Sequence, residues 1–507
     1  MLDFIKDIIF SRQIRRKIDL RGKKVVVMGI GLHGGGVSMI KWLAKQGARV
    51  VATDKKTEKT LQPSLKKLQK LIKSKKVKLI VGRHRFDDFR SADLVIKNPS
   101  VPWNNVYIRT AQKNGIKVEM DSSLFFQLSP SRKIIGITGT KGKTTTAYLI
   151  EAILKKAGKK VVLVGTGQIS VMDRLRLIDK KTYVVFELSS WRLSALRRHR
   201  LSPPFAVVTN LYADHLNYYH SLQRYVQDKM AIVRFQKKKD LAVLNYDDDL
   251  VRQFAEETKA EVSFYSARDK YSIINDVYVE NGFIKYRTEN KDEKLCRLSE
   301  LKLLGQHNVY NVLAATALAL RLKIAPRIIR QTIINFKGVP HRLEFVAQKG
   351  KRVAYNDSAA TTPEATIAGI EALASRPQTK AIYLLAGGAS KKLDLTVLAE
   401  KIASTPEVRK VVLLKGAASN ELALHLKKHG MTTEIIDDLE KAVSVLEEAM
   451  AADERKSEEE KINIEGESIL LLSPGCASFG LFDNEFDRGN KFKSIIQKRW
   501  LSNKSKS

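Results

Sequence analysis

Residues 133–158 read KIIGITGTKGKTTTAYLIEAILKKAG, and this stretch decides the fold class. Apolar KIIGIT has the length and β-branched content of a buried strand, and TTAYLIEAILKKAG has the 3.6-residue period of a helix. Between them lies Gly139-Thr140-Lys141-Gly142-Lys143-Thr144. A strand, a glycine-rich turn and a helix N-terminus together present several backbone N–H groups to one anion. Lys143 adds a cation for the β- and γ-phosphates, and Thr144 adds a hydroxyl for Mg²⁺, with Thr145 beside it. The longer phosphate-loop pattern wants a glycine at Ile137, so this is a shorter relative of that loop.

Upstream, KKVVVMGIG, ARVVATD, VKLIVG, ADLVIKNPS and IKVEM alternate with helix-like segments, the rhythm of parallel β-α-β units. The first run ends in Gly29-Ile30-Gly31-Leu32-His33-Gly34, and Asp54 ends the next. That spacing fits a dinucleotide such as NAD, or another nucleotide diphosphate, with Asp54 toward ribose or base. Downstream of the phosphate loop come KKVVLVG, YVVFELSS, FAVVTN and LAVLNYDD, then a third set: KRVAYND, AIYLLAGG, RKVVLLKG and SILLLSPG. At roughly 150 residues per domain, 507 residues suggest three. The expected fold is α/β in three domains. Residues 1–130 form a Rossmann-like domain, 131–337 a central phosphate-loop domain with a mainly parallel sheet, and 338–507 a second Rossmann-like domain. Charged 452–467 reads as an exposed loop, and the tail SNKSKS as frayed.

Lys and Arg number 90 against 54 Asp and Glu, a net charge of +36. The basic residues are spread along the chain without interleaved aromatics, so nucleic acid is not expected as a partner. Two cysteines make no secreted framework or metal pair, and a reducing, cytoplasmic setting fits. No stretch of about 18 apolar residues suggests a membrane span. The basic surface and the apolar start of the chain raise contact with an anionic membrane face as a speculation.

Further chemistry-bearing residues fall at strand ends. Glu187, in FELSSWRL, would be costly there if buried alone, and suits either a Mg²⁺ or an ion pair with a lysine. Asp214-His215 follows another strand, and Lys229 lies on the next helix. Asn308 and Asn311 share a helix face. Arg342 is a candidate phosphate fork. Asp357 ends a strand, and Ser473 and Ser478 lie in a Gly/Ser-rich loop.

In this order, G-T-x-G-K-T, E-L-S-S, D-H with Y-x-x-x-K, H-N-x-x-N, P-H-R, N-D-S and S-P-G-C-A-S resemble the ATP-dependent Mur ligases over residues 22–495. The N-D-S, G-G-x-x-K and S-P-x-C-A-S versions look most like the branch that joins D-glutamate to UDP-N-acetylmuramoyl-L-alanine in peptidoglycan synthesis. The resemblance implies domains for UDP-sugar, ATP and amino acid, and a route through an acyl phosphate and a tetrahedral intermediate. It implies that Gly139, Thr140, Lys141, Gly142, Lys143, Thr144 and Thr145 hold ATP. Asn308 and Asn311 would contact its adenosine, Arg342 phosphate and Asp357 ribose. Gly31, Leu32, Gly34, Asp54 and Gln168 would line the UDP-sugar site. Thr361, Lys391 and Ser478 would meet D-glutamate. Two Mg²⁺ would sit on Thr144, Glu187, His215 and a CO₂-derived carbamate on Lys229, with Lys143, His215 and Lys229 catalytic. By analogy the protein is a monomer. Departures fall at Ala359, where a lysine is frequent, at Glu485 in place of an aromatic, at Gln168 and His33, and at Lys97–Ser100. A sister ligase for another amino acid, a silent nucleotide binder and a dehydrogenase remain as alternatives.

Overall fold

The computed structural model describes residues 19–501, apart from 33, 167–169, 213–215, 220, 269–275, 290, 304, 392 and 460–465. The expected ligands Gln168 and His215, and the tail SNKSKS, lie outside the described residues.

Three sheets carry the fold. The first holds β1 (Lys24–Met28), β2 (Arg49–Asp54), β3 (Val77–Val81), β4 (Leu94–Lys97) and β5 (Lys117–Glu119), all parallel, in the order 3-2-1-4-5. The second holds β6 (Ile134–Thr138), β7 (Val161–Val164), β8 (Tyr183–Glu187), β9 (Phe205–Val208), β10 (Leu241–Asn245), β11 (Glu261–Ser266), β12 (Val277–Glu280), β13 (Phe283–Arg287) and β14 (Asp292–Arg297), in the order 14-13-12-11-10-9-6-8-7. The third holds β15 (Glu344–Lys349), β16 (Arg352–Asn356), β17 (Thr379–Ala386), β18 (Val408–Leu414), β19 (Glu434–Ile436) and β20 (Glu467–Leu472), in the order 15-16-20-17-18-19. Helices that matter below are α1 (Gly35–Lys45), α2 (Glu58–Lys73), α3 (Lys143–Lys156), α4 (Ser190–Arg198), α5 (Leu222–Arg234), α6 (Gln306–Arg321), α7 (Leu439–Glu459) and α8 (Glu485–Leu501).

The chain divides into two compact units, one containing the first two sheets and running through Phe336, the other containing the third sheet. Strands covered on both faces are the ones whose apolar runs stand out: β6 and β10 are buried at every residue. Antiparallel β13 and β14 carry exposed or half-exposed polar residues, as in DEKLCR, and leave no apolar run to read.

One expectation is corrected. Residues 452–459 are helical, not a loop, because they prolong α7. The helix buries Leu439, Ala442, Val443, Leu446 and Met450 at helical spacing. Its charged continuation is anchored: Tyr383 Oη donates to Asp453 at 2.6 Å, and Arg352 pairs with Glu454. No helix among the described residues is long and apolar enough to cross a membrane.

Candidate active site

The phosphate loop leaves fully buried β6 and enters α3 with Gly142 at the N-cap, φ 82°. Both loop glycines are required by space. A Cβ on Gly139 would lie 1.8 Å from Thr209 Oγ1, and one on Gly142 would lie 2.2 Å from Asn311 Oδ1. The loop is pinned to the end of β9. Thr140 N donates to Asn210 O at 2.8 Å, Lys141 N to Asn210 Oδ1 at 2.8 Å, and Thr209 Oγ1 to Lys141 O at 2.6 Å. Thr209 and Asn210 were not singled out from sequence; their signal was only a Thr-Asn pair closing an apolar strand.

Two ammonium groups converge on one carbonyl. Lys143 Nζ donates to Gly139 O at 3.0 Å and to Thr140 O at 2.9 Å. Lys229, on α5 and 1% exposed, donates to the same Gly139 O at 2.7 Å and to Thr138 Oγ1 at 3.4 Å. Like charges so close favour an anion between or upon them. Thr144 Oγ1 donates to Glu187 Oε2 at 2.8 Å, so the strand-end carboxylate meets the loop hydroxyl and no ion-pairing lysine among the described residues. A hydroxyl and a carboxylate side by side are hard oxygen donors of the kind Mg²⁺ takes. Among the described residues there is no cluster of three His, Cys, Asp or Glu. Thr145 is half-buried beside them.

Asn311 is buried under the loop. Its Oδ1 accepts from Thr146 Oγ1 at 3.2 Å, and its Nδ2 donates to Asn308 Oδ1 at 2.9 Å. The pair does share a face of α6, with Asn311 as the support and half-buried Asn308 above it. Two further residues brace these elements: Tyr225, which stands in the Y-x-x-x-K motif with no role assigned to it from sequence, and Arg192, which was missed. Tyr225 Oη shares a hydrogen bond with Thr140 Oγ1 at 3.1 Å. Arg192 Nη2 pairs with Asp121 at 2.8 Å, while its Nη1 reaches Gly165 O at 3.0 Å.

In the first sheet the strand order reverses between β1 and β4, where open α/β sheets form their ligand crevice. Gly31, half-buried Leu32 and Gly34 sit there. Asp54 does not face outward to a ribose. Its Oδ2 accepts from Ile30 N at 2.9 Å and Gly31 N at 3.0 Å, and its Oδ1 from Lys56 N at 3.0 Å, so it shapes the loop instead. Across the crevice Lys97 is buried. Its Nζ donates to Val101 O at 2.8 Å and lies 4.6 Å from the Trp103 ring, and burial pushes its ammonium down to about 7.

The third sheet gathers a second group. Lys391 Nζ donates to Thr361 Oγ1 at 2.7 Å. Ala389 and Ala477 exchange backbone hydrogen bonds of 2.9 and 3.1 Å, which sets buried Ser478 against the same loop. Arg488, fully buried on α8, ties these loops together by donating to Ser358 Oγ at 3.0 Å, Ser358 O at 3.0 Å and Cys476 O at 3.3 Å. No carboxylate among the described residues pairs with it, and burial pushes it down to about 10. Arg342 is exposed on the turn before β15. Asp357, expected at a ribose, is turned inward: it accepts from Leu343 N at 3.1 Å and Ser473 Oγ at 2.7 Å. Burial pushes its carboxyl up to about 7.

Profiles of known families match in the same order. Residues 23–119 match the Mur ligase MurD-like N-terminal domain, 137–319 the Mur ligase middle domain, and 341–454 the Mur ligase glutamate ligase domain. The chain belongs to the Mur ligase family. Among Mur ligases it is 36% identical over 487 residues to the UDP-N-acetylmuramoylalanine–D-glutamate ligase of Roseiflexus sp. (strain RS-1), covering 95% of this chain and 99% of that one. It is 34% identical to the enzyme of that name from Clostridioides difficile (strain 630), covering 94% and 99%. Two solved Mur ligases share the fold. These are UDP-N-acetylmuramate–alanine ligase MurC from Thermotoga maritima, with TM-score 0.57, 19% identity and 94% and 100% coverage, and MurF from Acinetobacter baumannii, with TM-score 0.57, 17% identity and 82% and 93% coverage.

Proposed function

We propose that this Mur ligase is an ATP-dependent amide ligase that adds D-glutamate to UDP-N-acetylmuramoyl-L-alanine in peptidoglycan precursor synthesis. The observation that carries the proposal is the convergence of Lys143 and Lys229 on Gly139 O beside the Thr144–Glu187 pair. That cluster suits a triphosphate, and the long similarity to D-glutamate ligases supports the acceptor.

In this reading the loop N–H groups and Lys143 receive the phosphates, Lys143 exchanging the carbonyls of Gly139 and Thr140 for phosphate oxygens. Mg²⁺ at Thr144 and Glu187 would supply Lewis-acid neutralisation of the phosphate charge. Carbamylation of Lys229 by CO₂ converts one of two adjacent ammonium groups into an anion and removes their repulsion. A second Mg²⁺ would then have an anionic partner there, with His215 as its other expected ligand. The substrate carboxylate oxygen bonds to the γ-phosphorus as ADP leaves. The D-glutamate amine then adds to the acyl carbon, and the tetrahedral intermediate loses phosphate and a proton to give the amide. Thr361, Lys391 and Ser478 hold the acceptor, with Lys391 facing a carboxylate. Gly31, Leu32 and Gly34 hold the UDP-sugar on the loop that Asp54 shapes. Asn308 meets adenosine over Asn311, and Arg342 meets phosphate. A cytoplasmic monomer fits this role.

The test is phosphate release from ATP with UDP-N-acetylmuramoyl-L-alanine and one amino acid at a time. Release with D-glutamate alone, abolished by Lys143→Ala, is expected. Release with L-lysine or L-alanine instead would move the specificity to another branch.

A further inference from the structure

Outside these sites the molecule carries one unusually one-signed feature. Helices α1 and α2 pack side by side on the first sheet, and between them lies a groove of about 570 Å³. Its walls carry Lys41 and Lys45 from α1, Lys66, Lys67 and Lys70 from α2, and Lys76 just after it. All six are exposed, and none is ion-paired among the described residues. The local charge exceeds what the chain's basic composition supplies: residues 59–86 hold ten Lys and Arg and no Asp or Glu.

The geometry narrows the ligand. Lys41 and Lys45, like Lys66 and Lys70, are one helical turn apart, about 6 Å along the axis. Two such rows flank the groove and offer a closely spaced line of cations along its length. The floor is small and apolar, with Ala44 and Leu71, and no aromatic side chain lines it. Single-stranded nucleic acids are held through base stacking on aromatics as well as through phosphate, and that platform is missing. A bilayer surface needs apolar side chains to insert, and no exposed large apolar residue lies on α1 or α2. An anion that is phosphate along its whole length needs neither, only the closely spaced cations that this groove supplies.

We propose that the α1–α2 groove binds linear polyphosphate, a chain of phosphates with no other group to recognise. Lysine ammoniums serve as point charges, so binding would rest on counterion release.

The experiment uses the full chain and end-labelled linear polyphosphate, read by fluorescence anisotropy from about 50 to 200 mM salt. Wild type is compared with Lys41→Gln/Lys45→Gln/Lys66→Gln/Lys70→Gln, and with a charge-matched control, Lys238→Gln/Lys239→Gln/Lys427→Gln/Lys428→Gln. Both variants change exposed lysines only, and equal melting temperatures verify their folding. The groove variant is expected to bind about tenfold or more weakly and to lower the slope of log affinity against log salt by about 2–3, while the control stays near wild type. Equal weakening in the control would reduce the effect to overall charge and overturn the site. Tripolyphosphate binding as tightly as the long chain would overturn the chain reading. Tighter binding of single-stranded RNA or of anionic phospholipid vesicles would overturn the assignment to polyphosphate.

Discussion

Lys97→Met should remove a pH dependence of stability that the wild type carries. Lys97 is 1% exposed, and its Nζ is bonded to backbone carbonyls of Asn98 and Val101, with no carboxylate in ion-pair reach among the described residues. Burial places its ammonium at about 7, against 10.5 for an exposed lysine. Between those values the unfolded chain binds a proton that the folded chain does not. Stability from this group is therefore complete above the unfolded value and lost as pH falls toward 7. The slope is about 1.4 kcal/mol per pH unit, so from about pH 9 to about pH 7 the wild type should lose about 3 kcal/mol that Met cannot lose. Met keeps the length and apolar stem but takes no proton. The assay is urea unfolding of both proteins, read as the difference in midpoint at about pH 7, 8 and 9, since the other lysines titrate alike in both and cancel. The gap should favour Met most at pH 7 and narrow steadily to pH 9. Parallel curves across this range would refute the argument that Lys97 is folded in at the expense of its charge.

Gly142→Ala forces a side chain into φ 82° and against Asn311 Oδ1; about 2 kcal/mol of stability should be lost and KM for ATP should rise at least about tenfold, as thermal melts and phosphate release would record. Asp357→Asn should abolish a loss of stability as pH rises from about 4 to about 7, because the raised carboxyl of Asp357 holds its proton in the folded state over that window and must give it up above it. Melting temperatures of the two proteins from pH 4 to 8 would test the sign. Arg488→Lys keeps a cation but loses the planar fork that joins Ser358 to Cys476, so KM for D-glutamate should rise several-fold while KM for ATP stays level; equal changes in both would point to general unfolding of the second unit.

Parallel strands and the phosphate loop were legible from sequence because each depends on local pattern. Strands β6 and β10 are apolar throughout, since both faces are covered. The Gly139–Thr144 turn announces itself through residue types that a helix N-terminus and an anion require. Strands β13, β14 and β15 were not legible, since they pair antiparallel at the sheet margins and keep polar, half-exposed faces. The helical course of 452–459 was also hidden, because the contacts that anchor it come from Tyr383 and Arg352, far away in the chain.

The sequence by itself determined the fold class, the order of the motifs and the candidates Lys143, Thr144 and Glu187, for these follow from periodicity and from side-chain chemistry at strand ends and helix starts, while Lys229 was singled out through the resemblance to the Mur ligases. Only the tertiary structure decided how those groups are used. It brought Lys143 and Lys229 to one carbonyl, and put Thr144 against Glu187. It turned Asp54 and Asp357 inward, and set Arg488 between two loops. The physical reason is that a carboxylate or guanidinium at a strand end has the same local sequence whether it faces a ligand or the backbone of its own fold. Which partner it meets is fixed by long-range packing and by the cost of leaving a buried polar group unbonded.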